Sequence, residues 1–81
     1  MSAAQCRAAR AIIGWSQEQL AESARVAKKT LADFETGNRS PYPRTLEAIR
    51  AALEAAGVQF IAENGGGPGV RLAKPTAPHA E

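Results

Sequence analysis

The 81-residue chain has room for one small domain with one modest core. Apolar residues make up 44 % and the net charge is only +2, which argues against a disordered chain of low hydropathy and high charge. No stretch approaches the roughly 20 apolar residues of a membrane span. The N-terminus lacks the apolar run of a secretory signal, and the single Cys6 allows no internal disulfide. These features lead to the expectation of a cytoplasmic protein with no membrane contact.

The first predicted helix runs from Ala3 to Ile13. Ser2 can cap it, Gln5 stands where a capping box needs it, and Gly14 ends it. Its apolar positions are Cys6, Ala9 and Ile13, at helical spacing. A second helix follows over Gln17–Ser23, with Ser16 and Gln19 as another capping box and Leu20 and Ala21 facing inward. Ala24-Arg25-Val26 is then a tight connection without glycine, so a side-chain-bearing residue must tolerate the sharp turn.

The third helix is predicted over Lys28–Thr36. Leu31 and Phe34 point into the core, while Lys28, Lys29, Ala32 and Asp33 fall on the opposite face. Gly37-Asn38 stops it. The prolines of Arg39-Ser40-Pro41-Tyr42-Pro43 predict a non-helical loop. A fourth helix over Leu46–Ala56 is capped by Thr45, carries the stripe Leu46, Ile49 and Leu53, and ends at Gly57.

The period then changes. Val58–Ala62 and Val70–Leu72 read as short strands, with Asn64–Gly69 as the turn region between them. The chain is thus expected to be mainly α, with residues 1–57 as a four-helix domain and residues 58–73 as a β-hairpin. Residues 74–81 are expected to be a disordered tail. Charge is uneven along this plan: residues 1–44 carry +3 and residues 45–81 carry −1. A polyanionic partner is expected to meet the N-terminal half.

Two short capped helices joined by a tight connection, the second with a polar face, form the helix-turn-helix arrangement. The residues Trp15-Ser16-Gln17-Glu18-Gln19-Leu20-Ala21, Ala24, Val26, Thr30-Leu31, Phe34-Glu35-Thr36-Gly37, Arg39 and Pro41, continued by Thr45-Leu46, Ile49 and Leu53, resemble the XRE/Cro phage-repressor class. The resemblance covers roughly residues 5–57 and implies a lambda-repressor-like domain that binds double-stranded DNA as a homodimer. It stops at Gly57. Family members commonly continue there into a fifth helix, whereas this chain turns to strand-like residues, so dimerisation is expected to use another surface.

Lys28, Lys29, Thr30 and Asp33 open the predicted reading helix. Lysine can donate to guanine, threonine can meet a thymine methyl or a phosphate, and Asp33 can accept from cytosine. The same lysines can meet phosphates alone, and Asp33 can pair with Lys29 four residues earlier. Gln17 starts the second helix, where free N–H groups attract phosphate; it also reads as an ordinary exposed polar residue. Asn38, Arg39 and Arg44 lie in or beside the loop that in this family follows the DNA backbone, and they are expected to contact phosphates, most strongly Arg39 and Arg44; the alternative is solvated surface arginine. By position in the family, Arg10 pairs with Glu35 and reaches a phosphate. Trp15 reads as a staple against the core. Tyr42 reads equally as a sugar–phosphate contact or a lid.

Other chemistries find little support. The glycine run at residues 65–69 lacks the following helix of a phosphate loop. Cys6 and His79 are each single in type and far apart, so no metal site, cofactor or catalytic set is expected. Cys6 reads as a small core residue. The hairpin offers Val58, Phe60, Val70 and Leu72 as an apolar face. Paired hairpins from two protomers would form a symmetric dimer; the competing reading packs the hairpin on the first and fourth helices of its own chain. The expected function is a dimeric transcriptional regulator, most simply a repressor, on a pseudo-palindromic operator. The alternative is a protein-interaction module, such as an antitoxin or anti-activator, that binds a protein partner through the hairpin.

Overall fold

The computed structural model describes residues 1–73. The expectation for residues 74–81, and with it His79, lies outside the described residues. Four helices, α1 (Ala3–Ile13), α2 (Gln17–Ala24), α3 (Lys28–Glu35) and α4 (Pro43–Ala55), are followed by β1 (Val58–Ile61) and β2 (Gly69–Leu72). The expected mainly helical architecture with a terminal hairpin is the one observed.

Local signals at the ends of α1 and α2 act as the sequence requires. Ser2 Oγ accepts from the Gln5 N–H at 3.1 Å and Gln5 Oε1 accepts from the Ser2 N–H at 2.9 Å. Ser16 and Gln19 repeat the box at 3.1 and 2.8 Å. These reciprocal bonds satisfy N–H groups that a helix start otherwise leaves open. Gly14 ends α1 at φ 70°. The glycine-free turn after α2 places Arg25 at φ 60°. Its N–H donates to Glu22 O and the Val26 N–H to Ala21 O, so the backbone bonds of the turn hold a conformation that Arg25 alone disfavours.

Helix α4 differs from expectation at its start. It begins at Pro43, three residues before Leu46, and Thr45 lies inside the first turn rather than at the cap. A proline at the first helical position loses nothing, because its missing N–H would have no partner there and its fixed φ suits a helix. The carbonyl of Tyr42 accepts from Thr45 N–H at 2.9 Å and Leu46 N–H at 3.0 Å, which closes that turn. Smaller differences are that α2 extends to Ala24 and α3 ends at Glu35, with Thr36 as its cap.

The core joins Cys6 and Ala9 of α1, Leu20, Ala21 and Ala24 of α2, Leu31 and Phe34 of α3, Ile49 and Leu53 of α4, and Val58 of β1. Alanine and cysteine at four of these positions let the helices approach closely. Ile13, Trp15, Val26 and Leu46 pack around its edge, so Trp15 has the stapling role its position implies. The antiparallel strands pair Val58 with Leu72, Gln59 with Arg71, Phe60 with Val70 and Ile61 with Gly69. Gln5 fastens the hairpin: its Nε2 donates to Gly69 O at 3.0 Å and Ile61 O at 3.3 Å. One side chain thus caps α1 and anchors the far end of the strand ladder.

Candidate nucleic-acid interface

The first intrahelical bond of α3 runs from the Leu31 N–H to Ala27 O, and Ala27 supplies no side-chain cap. The N–H groups of Lys28, Lys29 and Thr30 therefore end the helix without intrahelical partners, at the positive end of its dipole. Lys28 is exposed, and the Lys29 side chain is 86 % exposed. Asp33 is half-buried beside them. Lys29 Nζ stands 3.4 Å from Asp33 Oδ2, the i,i+4 geometry of a weak surface pair. Thr30 is half-buried.

The segment after α3 is tied back to it through one carbonyl. Asp33 O accepts from Asn38 N–H at 2.9 Å, Arg39 N–H at 3.3 Å and Thr36 Oγ1 at 3.2 Å. This leaves the side chains of Asn38 and Arg39 exposed. Arg44 is exposed in the first turn of α4. Thr30, Arg39, Ser40, Pro41, Tyr42 and Thr45 line one continuous groove, so the start of α3, the following loop and α4 share a surface. Tyr42 is 83 % exposed, which removes the reading of it as a lid on the core.

Glu35 of α3 is 2 % exposed and the sole buried charged residue among those described. Its Oε1 accepts from Arg10 Nη2 at 2.7 Å and Gln17 Nε2 at 3.0 Å. Its Oε2 accepts from Arg10 Nε at 2.8 Å and Cys6 Sγ at 3.1 Å. Arg10 Nη1 donates to Trp15 O, and Arg7 Nη1 donates to the Glu35 carbonyl. Burial pushes the Glu35 carboxyl up, but the hydrogen bonds from Arg10, Gln17 and Cys6 and the Arg10 charge together hold it below the ordinary carboxylate range. Burial, and then the neighbouring Glu35 carboxylate, push the Cys6 thiol far up.

The carboxylate therefore joins α1, α2 and α3 at one point. It also fixes two residues singled out for phosphate. The Gln17 amide side chain is turned inward onto Glu35, which leaves its main-chain N–H at the start of α2. The Arg10 guanidinium is engaged on three sides. Spacing alone did not reveal the roles of Cys6, Arg7 and Gln17 around Glu35, because the partners come from three helices.

A helix-turn-helix domain family model matches residues 3–60. The chain belongs to the helix-turn-helix domain family. The match spans all four helices and reaches into β1. No curated protein matches the chain significantly. Membership suggests DNA binding and a part in transcription regulation, and the family is typically non-enzymatic. Within the helix-turn-helix domain, α2 and α3 are the paired helices.

The hairpin packs against α1 and α4 of its own chain. Val58 is buried in the core, Phe60 and Val70 are partly buried against it, and Leu72 is 58 % exposed. Arg50 of α4 covers the Phe60 ring at 5.2 Å from its centroid. Of the four residues expected to face a second protomer, Leu72 alone is mostly open. Among the described residues no helix is long and apolar enough to cross a membrane, and no group of three or more acidic, histidine or cysteine side chains could hold a metal.

Proposed function

We propose that this helix-turn-helix domain is an XRE/Cro-type transcriptional repressor that reads double-stranded DNA through α3. The observation that carries the reading is the start of that helix. Three unpartnered N–H groups, two exposed lysines and the adjoining Arg39 groove place donors and positive charge along one side of the domain. Lys28, Lys29, Thr30 and Asp33 face the bases. Gln17, through its N–H, and Asn38, Arg39 and Arg44 hold the phosphates, and Arg10 sits behind them. Such contacts displace counterions and make binding strongly salt-dependent.

A homodimer completes the reading. One domain of this size reaches few base pairs, whereas two related by a twofold axis read half-sites about 34–36 Å apart. Leu72 and the outer edges of the two-stranded sheet supply the contact. A DNA-binding regulator of this kind works in the cytoplasm. The test is selection of bound duplexes from a random library, followed by footprinting and light scattering of the free protein. Selected sites with inverted repeats at that spacing and a dimeric mass support the reading. Unrelated sequences without symmetry would overturn the operator, and a monomer on single half-sites would overturn the dimer.

A further inference from the structure

Tyr42 stands apart from the other aromatic residues. Phe34 is buried and Trp15 and Phe60 are partly buried against the core, whereas Tyr42 is 83 % exposed. An isolated exposed aromatic is no signal by itself. Three further observations make this one informative.

The first is rigidity. Pro41 and Pro43 restrict the backbone on both sides. The Tyr42 carbonyl is bonded to the N–H groups of Thr45 and Leu46, which fixes the residue to the first turn of α4. Little backbone freedom remains to be lost when the ring meets a partner.

The second is charge. Two surface grooves meet at Tyr42. One is lined by Thr30, Arg39, Ser40, Pro41 and Thr45, the other by Pro43, Arg44 and Thr45. Each groove holds one arginine and neither holds an acid, so the ring is bracketed by cations. That pattern fits a polyanion rather than a protein surface of mixed charge. The third is continuity, since the Arg39 groove includes Thr30 of α3.

A DNA strand alternates phosphate and sugar, and the order arginine, tyrosine, arginine matches phosphate, sugar, phosphate. We propose that Tyr42 is a sequence-independent DNA contact, its ring packed on a deoxyribose between phosphates held by Arg39 and Arg44 and its hydroxyl donating to a phosphate oxygen. The assignment rests on the DNA-binding reading above. It makes Tyr42 a residue that sets the register of the domain on the duplex while reading no base.

The test compares the full chain with Tyr42→Phe and Tyr42→Ala by fluorescence anisotropy. The probes are a duplex selected by the wild-type protein and a random-sequence duplex. Thermal melts of both variants should match wild type, because the ring is exposed and the α4 cap is made by the backbone. Tyr42→Phe should weaken binding to both duplexes about threefold and Tyr42→Ala about tenfold, the scale of one hydrogen bond and of that bond with its packing. The slope of log affinity against log salt should not change, whereas Arg39→Ala or Arg44→Ala should each lower it by about 0.9. Wild-type affinity in Tyr42→Ala for both duplexes would overturn the proposal while leaving DNA binding intact. A loss confined to the selected duplex would also overturn it, because the ring would then be reading bases. Failure of the wild-type protein to bind either duplex would overturn both the proposal and the reading beneath it.

Discussion

Arg10 grips Glu35 with two parallel hydrogen bonds, Nη2 to Oε1 at 2.7 Å and Nε to Oε2 at 2.8 Å, across the interface of α1 and α3. The acid is buried and the guanidinium largely so. Breaking such a pair from one side leaves a charge without its counterpart, which costs about 3 kcal/mol or more. Glu35→Gln should therefore destabilise the domain by about 3 kcal/mol in chemical denaturation. A loss under about 1 kcal/mol would show that water screens the pair more than its burial implies.

The same carboxylate sets an acid limit. Its folded pKa lies below the ordinary value of 4.5, so the unfolded chain takes up the proton first as pH falls. The stabilisation is complete above that value and declines as pH drops below it. Thermal melts taken from neutral pH down through the carboxylate range should show this decline in the wild type. Glu35→Gln should lose much of it, because a glutamine at this place does not titrate. Identical acid profiles for the two proteins would contradict the assignment.

Cys6 is fully buried, and its thiol is held protonated by burial and by the adjacent carboxylate. The thiolate is the reactive form. Alkylation of the native protein should therefore proceed only as fast as the chain unfolds, and denaturant should accelerate it in step with the loss of helix. Fast labelling under native conditions would show that α1 opens locally away from Glu35.

Gln5 links the α1 cap to Ile61 O and Gly69 O. Gln5→Ala removes three side-chain hydrogen bonds of that residue at once. The expected loss is about 1–2 kcal/mol, since a cap and partly buried polar contacts are lost together. Amide exchange should locate the effect: the hairpin N–H groups should exchange faster, with α2 and α3 little changed. Uniform acceleration across all elements would show that the hairpin and helices unfold as one unit.

Much of this fold could be read from local sequence. Ser2 with Gln5 and Ser16 with Gln19 marked helix starts, Gly14 and Gly57 marked ends, and the spacing of Leu31 with Phe34 and of Ile49 with Leu53 marked inward faces. Pro43 misled because proline breaks a helix interior yet suits its first position, and the sequence does not say which of the two it occupies. The second duty of Gln5 was hidden for a different reason. Its spacing from Ser2 is local, but Ile61 and Gly69 lie more than fifty residues away. Likewise, Gln17 shows in sequence only that it begins a helix; that its amide turns inward to Glu35 depends on how α2 crosses α3.

The exposed face of α3 was legible as a row of polar residues, and the resemblance of Trp15–Ala21 and Phe34–Gly37 to the XRE/Cro class gave it a role. What spacing could not give was the shared surface of Thr30, Arg39 and Tyr42, which requires the α3–α4 loop to fold back through the Asp33 carbonyl.

The proposed role of α3 in reading DNA sequence is decided by Lys29→Ala. Affinities of wild type and variant should be measured by anisotropy for the selected duplex, for single-base-pair changes in it and for a random duplex, each at low and raised salt. The wild type should prefer the selected duplex and weaken steeply with salt. The variant should lose about 1–3 kcal/mol on the selected duplex and relax its preference at one base pair. Equal, weak wild-type binding to every duplex, or a Lys29→Ala variant with unaltered preference and affinity, would contradict the account.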